Sequence, residues 1–321
     1  MRFIPICTEA EITRAAHALI EGHLVAFPTE TVYGLGADAS NKEAINRIYD
    51  VKSRPRNHPL IIHISSVKQL NKWAVNVPEQ AIKIAKKFWP GPLTLILERS
   101  PLAKDFITGG QHFVALRVPS HPIAKKLIKT FENLGGLGIA APSANIYGKV
   151  SPTSAEAVKI EIGDRLRKDD FILNGNRSEI GIESTIISFI ENEISIVRPG
   201  YITIEKLYED FGHTLKLSKK DINLKTPGNS KSHYSPNAKV RINGDPVAGE
   251  GLIATSNIET PQGVIRLSTP HTLEEFAHEL YEAFRLADKL KLNSVVVKLP
   301  EERGLGIAIM NRVKQASYRA M

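Results

Sequence analysis

The stretch Ser184–Arg198, "STIISFIENEISIVR", holds two apolar runs rich in β-branched residues, separated only by "ENE" at positions 191–193. β-Branched residues favour strands because their side chains pack well on a pleated surface. A connection this short can join antiparallel strands only, since parallel strands need a crossover of about a dozen residues or more. The stretch therefore predicts a β-hairpin, and a sheet that contains it cannot be purely parallel.

Helices and further strands alternate along the chain. Capping boxes, in which Thr or Ser is followed three residues later by Glu, predict helix starts. They occur at Thr8–Glu11, Ser40–Glu43, Thr153–Glu156 and Thr272–Glu275. The other predicted strands are "HLVAF", "PLIIHI", "LTLILE", "FVALRV", "LGIAA" and "DDFIL". This alternation predicts an α/β fold with a mixed, twisted sheet and flanking helices.

The chain changes character near residue 213. From 213 to 237 it reads "HTLKLSKKDINLKTPGNSKSHYSPN", with many lysines and no helical period. This is too long for an ordinary connection between elements. Beyond it, "GLIATS", "GVIRLS", an amphipathic helix from Leu273 to about Leu290, "SVVVKL" and a last helix predict a smaller α/β unit. We predict a first domain at 1–212, a basic linker at 213–238 and a small Rossmann-like C-terminal domain at 239–321.

The composition is ordinary for a globular protein, with 42% hydrophobic and 24% charged residues. No run approaches the roughly 18 apolar residues of a membrane span, and the N-terminal region is too acidic for a signal peptide. We therefore expect a cytoplasmic protein without a membrane partner. The single cysteine, Cys7, excludes an internal disulfide and a cysteine-based metal site. The net charge of +8 favours anionic partners such as nucleotides or RNA, although a generally basic proteome explains it equally well.

The segment Val25–Ser40, "VAFPTETVYGLGADAS", begins as a strand and continues as a polar loop. Pro28 stiffens the turn, and the glycines would let a ligand approach the backbone. The loop supplies hydroxyl groups from Thr29, Thr31 and Tyr33, and its two glycines are Gly34 and Gly36. The loop either reverses the chain or forms one wall of a ligand pocket.

A basic stretch, "VKSRPRNHPLIIHI", places Lys52, Arg54 and Arg56 at alternate positions, with His63 nearby. If the backbone is extended, the three cationic side chains point the same way. Guanidinium groups held together in this manner suit a polyphosphate, because they clamp phosphate oxygens. A solvated basic turn is the alternative interpretation.

Two further segments carry polar side chains at strand ends. "APSANIYGKVSPT" holds Ser143, Asn145 and Ser151, whose short side chains can bind a phosphate or an adenine edge, although a plain turn explains them almost as well. Ser184 and Arg198 lie at adjoining ends of the predicted hairpin and can share a site.

Arg117 lies in "VALRVP", an apolar run in which an unpaired guanidinium would be costly. It serves either a structural ion pair or the carboxylate of a ligand. The chain has no Walker loop and no recognised nucleophile motif, so a nucleotide would have to be held in another way.

Together these stretches resemble the YrdC family in its long, two-domain form. The matching motifs, in chain order, are "FPTETVYGLGADA", "KSRPRNHPLIIHI", "WPGPLTLIL", "VALRVPSHPIA", "APSANIYGKVSPT", "GIESTII" and "VRPG". "HYSP" in the linker resembles the family's "HYAP", with Ser235 replacing alanine, and "ERGLGIAIMNRVKQAS" resembles the end of its C-terminal domain.

The resemblance implies a nucleotidyltransferase that converts L-threonine, bicarbonate or CO2, and ATP into L-threonylcarbamoyladenylate and pyrophosphate. Mg²⁺ is the implied cofactor, held mainly by the ATP phosphates rather than by a protein cage. Other proteins would pass the threonylcarbamoyl group to ANN-decoding tRNAs, so those proteins and tRNA or double-stranded RNA are further expected partners. Because the threonine carbamate itself attacks the α-phosphate, the enzyme needs no nucleophile of its own.

The resemblance also assigns residues. Lys52 and Arg54 form the family's K-x-R element and would stabilise phosphate charge during catalysis. The residues assigned to ATP are Lys52, Arg56, Ser143, Asn145, Ser151, Arg198 and Tyr234. Those assigned to L-threonine are Thr29, His63, Arg117 and Ser184, with Arg117 taking the carboxylate. Tyr234 would bring the linker over the nucleotide as a lid, and the roles of Glu30 and Tyr33 stay open.

Two other functions compete with this interpretation. A non-catalytic protein that binds double-stranded RNA or tRNA would show steeply salt-dependent binding and no ATP turnover. Carbamoyl transfer in hydrogenase maturation uses a related domain, but that assembly carries cysteine-rich zinc modules and this chain has one cysteine. Short uncharged groups such as Thr29, Ser143 and Ser184 suit a small ligand better than a nucleic acid.

Overall fold

The computed structural model describes residues 5–190, 193–212, 216–217 and 233–318. Its strands are β1 (Val25–Phe27), β2 (Gly34–Asp38), β3 (Ile61–His63), β4 (Leu93–Glu98), β5 (Phe113–Arg117), β6 (Ile139–Ala140), β7 (Phe171–Ile172), β8 (Thr185–Ile190), β9 (Glu193–Arg198), β10 (Lys216–Leu217), β11 (Lys239–Ile242), β12 (Gly251–Ile253), β13 (Ile265–Ser268) and β14 (Ser294–Val297).

The helices flank these strands. They are α1 (Glu9–Ile20), α2 (Lys42–Lys52), α3 (Leu70–Trp73), α4 (Glu79–Phe88), α5 (Asp105–Thr108), α6 (Pro122–Asn133), α7 (Ala155–Ile162), α8 (Ile204–Phe211), α9 (Leu273–Lys289) and α10 (Leu305–Ser317). In the described ranges, no helix has the length and apolarity that a bilayer crossing requires.

The described strands form two sheets. The larger has the order β10-β9-β8-β4-β5-β3-β6-β2-β1-β7 and the smaller the order β11-β14-β12-β13. β8 and β9 pair antiparallel, whereas β8 pairs parallel with β4, and β3 pairs parallel with β5. The predicted hairpin and the predicted mixed sheet are therefore confirmed. All pairs of the smaller sheet are parallel, as expected for a Rossmann-like unit.

Two of the four predicted helix starts are confirmed. Thr8 closes a full capping box with Glu11, and the Thr272 side chain accepts the Glu275 amide N–H. The other two starts are wrong by one residue. Ser40 donates its hydroxyl to the Asp38 carboxylate, so the neighbouring asparagine caps α2. Thr153 in turn donates to a glutamate of α9, and Ser154 caps α7.

The polar loop after β1 contains a strand that the sequence pattern did not reveal. β2 pairs antiparallel with β1, so the segment reverses the chain as well as presenting side chains. Gly36 belongs to this pairing rather than to a ligand: a Cβ there would lie 2.8 Å from Phe27 and 2.8 Å from Ile139. Its lack of a side chain lets the hairpin pack against β6.

The expected row of three cations is wrong. Lys52 is the last residue of α2, and Ser53 then adopts a left-handed conformation with φ of 52°. The turn sends Arg54 into the interior, while Arg56 stays at the surface, 2.8 Å from Asp50. Because Lys52 is helical and Ser53 is left-handed, the chain is not extended across these positions, and the alternation argument does not apply.

The C-terminal unit, which contains the smaller sheet, packs directly against the unit that contains the larger sheet. Helices α9 and α10 share a hydrophobic cluster with Val32, Val150, Ile180 and Ile182 of the large-sheet unit. Of the predicted linker 213–238, the structure describes the backbone of 216–217 and residues 233–238; the remainder, with most of the predicted lid, lies outside the described residues.

Candidate active site

A pocket lies at the strand ends of the large sheet. Its walls are the β1–β2 loop, the ends of β3 and β5, the segment 141–143, the start of β8 and the end of β9. The pocket is completed by His233 and Tyr234, which lie near the C-terminal end of the predicted linker. Eight predicted site residues line it: Thr29, Arg54, His63, Arg117, Ser143, Ser184, Arg198 and Tyr234.

Strand register brings the residues predicted for threonine together. His63 and Arg117 are direct partners in the parallel pair β3–β5, so both side chains leave the sheet at the same edge. Ser184 directly precedes β8, and its hydroxyl lies 2.8 Å from that of Thr94 on β4. Thr29 is held by its own turn, since its hydroxyl donates to the Val32 carbonyl at 2.6 Å.

Arg117 forms a buried ion pair with Glu30. Its Nη2 lies 2.7 Å from the Glu30 carboxylate, which also accepts the Ser120 amide at 3.1 Å. Nε donates to the Gly91 carbonyl at 3.3 Å. The structural ion pair proposed from the sequence is thus present, and the role of Glu30 is to brace Arg117. Arg117 also lines the pocket, so the ion pair fixes the guanidinium at the pocket wall.

Arg54 is buried in the pocket wall without a carboxylate within ion-pair distance among the described residues. It donates to the Pro59 carbonyl at 3.0 Å and lies over the Tyr147 ring at 5.7 Å. Its buried Nε has no hydrogen-bond partner. Burial lowers the pKa of Arg54, yet an arginine stays charged. A charged donor with unused capacity at a pocket wall is suited to an anion.

Arg198 and Lys52 shape neighbouring walls. Arg198 donates to the carbonyl and the hydroxyl of Ser184, at 2.9 and 3.1 Å, which fixes the start of β8. Lys52 lies behind the pocket, where Nζ donates to the carbonyls of Ser143 and Asn145 at 2.6 and 2.5 Å. Burial, followed by the charge of Arg54, lowers the pKa of Lys52 well below its usual value.

Besides Lys52, three predicted ATP residues lie outside this pocket. Arg56 is exposed and paired with Asp50. Asn145 donates to two carbonyls of its own turn. The Ser151 hydroxyl donates to Glu183 at 2.6 Å. Their assignment to ATP stays a prediction; in the described structure, the latter two stabilise the loop and the pocket floor.

The buried histidines of the pocket are neutral. Burial, with the charge of Arg117 adding to it, lowers the pKa of His63 to about 3. Burial likewise lowers the pKa of His233 to about 3. The His63 ring meets the Phe27 ring edge-on at 5.9 Å, and its Nδ1 has no hydrogen-bond partner. A neutral imidazole at this position can hydrogen-bond a ligand without competing with Arg117 for a carboxylate.

Sequence reasoning missed Glu183 and His233, both of which line the pocket. Glu183 stands next to Ser184 in "GIESTII", where an acidic residue before a buried strand was a usable signal. Tyr33, whose role was left open, lines the pocket, and its hydroxyl donates to the Asn176 carbonyl at 2.6 Å. This hydrogen bond braces the β1–β2 loop.

The fold and the pocket define a class: a mixed α/β protein with guanidinium groups, hydroxyl groups and a neutral imidazole around one pocket, a set of groups suited to an anionic ligand. The family profile described as "Telomere recombination" (Sua5, YciO and YrdC) matches residues 17–200. The profile described as "Threonylcarbamoyl-AMP synthase, C-terminal domain" matches residues 202–317. The chain belongs to the Sua5/YrdC family in its long, two-domain form.

Similar proteins extend over nearly the whole chain. A threonylcarbamoyl-AMP synthase of Pyrococcus abyssi is 42% identical, over 97% of this chain and 95% of its own. One of Bacillus subtilis is 39% identical, over 96% and 93%. The crystal structure of P. abyssi Sua5 complexed with L-threonine superposes with a TM-score of 0.88 and 39% identity, covering 98% of this chain and 96% of that one.

Proposed function

We propose that this protein is a threonylcarbamoyl-AMP synthase, which converts L-threonine, bicarbonate and ATP into L-threonylcarbamoyladenylate and pyrophosphate. The observation that carries the proposal is that the four residues predicted for threonine and four of those predicted for catalysis or ATP line one pocket. The names of the relatives, which match over nearly the full chain, support the same activity.

In this proposal, threonine lies at the β3–β5 edge of the pocket. Arg117 binds its carboxylate through a charged hydrogen bond, and the hydroxyl of Ser184 and the turn of Thr29 face the rest of the molecule. Arg117 is already held by Glu30, so it does not have to reorganise when the ligand arrives.

The nucleotide phosphates lie on the side of Arg54, Arg198 and Tyr234. The threonine amine captures bicarbonate as a carbamate with loss of water, and a carbamate oxygen attacks the α-phosphate while pyrophosphate leaves. Negative charge grows on the phosphate oxygens, which fixed guanidinium groups stabilise. Lys52 acts indirectly, because it holds the carbonyl of Ser143 in the wall.

Magnesium would enter on the phosphates of ATP, which it binds with near-octahedral oxygen ligands. Among the described residues, no group of three or more His, Cys, Asp or Glu side chains could hold a metal ion. The product is an activated acyl donor, and we propose that transfer proteins in the cytoplasm consume it in modifying ANN-decoding tRNAs.

The activity is tested by pyrophosphate release. We expect release from ATP to require both L-threonine and bicarbonate, because the attacking oxygen belongs to their carbamate. L-Serine serves as a matched control that keeps the amine, the carboxylate and the hydroxyl but lacks the methyl group, and it should react more slowly. Equal release with and without threonine would refute the proposal.

A further inference from the structure

We propose that Arg312 of α10, together with Tyr281 of α9, is a positioning residue of this active site: it holds the carboxylate of Glu183 and turns its charge away from the substrate pocket. The inference rests on the proposed function and gives the C-terminal unit a part in it. Arg312 itself does not line the pocket, so it acts through Glu183.

Three side chains that do not line the pocket donate to the Glu183 carboxylate. One carboxylate oxygen accepts the Ser151 hydroxyl at 2.6 Å. The other accepts Nε of Arg312 at 2.7 Å and the Tyr281 hydroxyl at 2.9 Å. Two of the three donors thus belong to the C-terminal unit, although Glu183 belongs to the first unit and lines its pocket.

Arg312 is itself fixed in place. It has no exposed surface, and Nη1 donates to the Pro199 carbonyl at 2.9 Å. Its guanidinium also lies 5.3 Å from the ring of Tyr234, one of the residues that close the pocket. One side chain of the C-terminal unit therefore holds Glu183, the end of the β8–β9 hairpin and the ring that closes the site.

The charges around Glu183 explain why it needs a partner. Burial alone would raise the pKa of Glu183, but the charge of Arg312, followed by that of Arg198, holds it at about 2. The charged and titratable groups that face it are Arg312, Arg198, His233, Tyr234 and Tyr281. The ionised carboxylate would repel a phosphate or carboxylate ligand in the same pocket if Arg312 did not neutralise it.

Removing Arg312 therefore makes catalysis depend on the protonation of Glu183. Without its strongest counter-charge the pKa of Glu183 rises. Below the new pKa the group is neutral and tolerates the anionic substrates, whereas above it the unpaired charge opposes their binding. The loss of activity should grow as the pH rises, which a merely structural role of Arg312 would not produce.

The experiment measures kcat/KM for ATP between about pH 5 and pH 9, with saturating threonine and bicarbonate, by pyrophosphate release from the full chain. For Arg312→Met we expect a loss of about tenfold or more at the alkaline end, shrinking towards the acidic end. Arg312→Lys should recover most of the activity, because it restores the charge. The double variant Glu183→Gln with Arg312→Met removes both the carboxylate and its guanidinium partner. The pH dependence that Arg312→Met adds to the wild-type profile should therefore disappear.

Arg285→Met is the matched control, since Arg285 also joins the two units, through the Val150 carbonyl at 2.6 Å, without contacting Glu183. It should keep the wild-type pH profile. A profile of Arg312→Met parallel to wild type would overturn the inference. If Arg312→Met does not fold, the double variant decides: activity equal to Glu183→Gln supports the inference, and a further tenfold loss contradicts it. Wild-type protein without threonine-dependent release would instead refute the proposed function.

Discussion

Replacing Arg117 with methionine should raise the KM for L-threonine about 100-fold, equivalent to about 3 kcal/mol. The guanidinium lies at the pocket wall, already oriented by Glu30, and methionine keeps an unbranched apolar stem but not the charged group. The KM for ATP should change little, because the phosphates are proposed to lie on the side of Arg54. Steady-state pyrophosphate release with each substrate varied in turn measures both constants.

The double variant Glu30→Gln with Arg117→Met distinguishes binding of threonine by Arg117 from a purely structural role of Arg117 as the partner of Glu30. Arg117→Met alone leaves the Glu30 carboxylate buried without its partner, which by itself can disturb the site. The double variant removes that charge as well, so the threonine KM should stay high. A return to the wild-type KM would mean that Arg117 serves only Glu30. An effect confined to ATP would mean that the two substrate assignments are exchanged.

Replacing Arg54 with methionine should lower kcat about 100-fold to 1,000-fold, as expected when a fixed donor to a developing anion is lost. The side chain is buried and has donor capacity that no described residue uses. Arg54→Lys should rescue poorly, because an ammonium group lacks the planar fork and cannot also contact the Tyr147 ring in the same way. Single-turnover measurements at saturating ATP would isolate the chemical step.

Arg99→Met provides the control for Arg54. Arg99 also donates to a backbone carbonyl, that of Ala103 at 3.1 Å, but does not line the pocket. Its kcat should stay within about twofold of wild type, because its partners, among them Asp105, lie away from the pocket. A loss at Arg99 as large as that at Arg54 would contradict a specific role for Arg54. Arg56→Met, measured in parallel, tests whether this exposed arginine also meets ATP.

Much of the fold was predictable because its signals are local. The hairpin of Ser184–Arg198, the β-branched runs and the α9 start at Thr272 depend on neighbouring residues alone. β2 was missed because "GLGAD" has no β-branched residue, and its pairing depends on close packing around Gly36. The caps at Ser40 and Thr153 failed because distant or neighbouring carboxylates engage their hydroxyls.

The sequence predicted which residues belong to the site better than it predicted how they are arranged. His63 and Arg117 end adjacent strands, so strand register alone unites them. Arg56 shows the limit of local reasoning, since Arg54 enters the buried pocket wall whereas Arg56, two positions later, stays exposed beside Asp50. Glu183 and Arg312 are 129 positions apart, and no sequence pattern links them; only the packing of α10 against the first unit does so.

Labelled product analysis tests the central claim most directly. Wild-type protein is incubated with ATP, L-threonine and carbon-13 bicarbonate, and the nucleotide products are resolved by mass spectrometry. The account predicts an adenylate that contains both threonine and the labelled carbon, formed in equal amount with pyrophosphate. An unlabelled threonyl adenylate, or AMP and ADP without any threonine adduct, would contradict it.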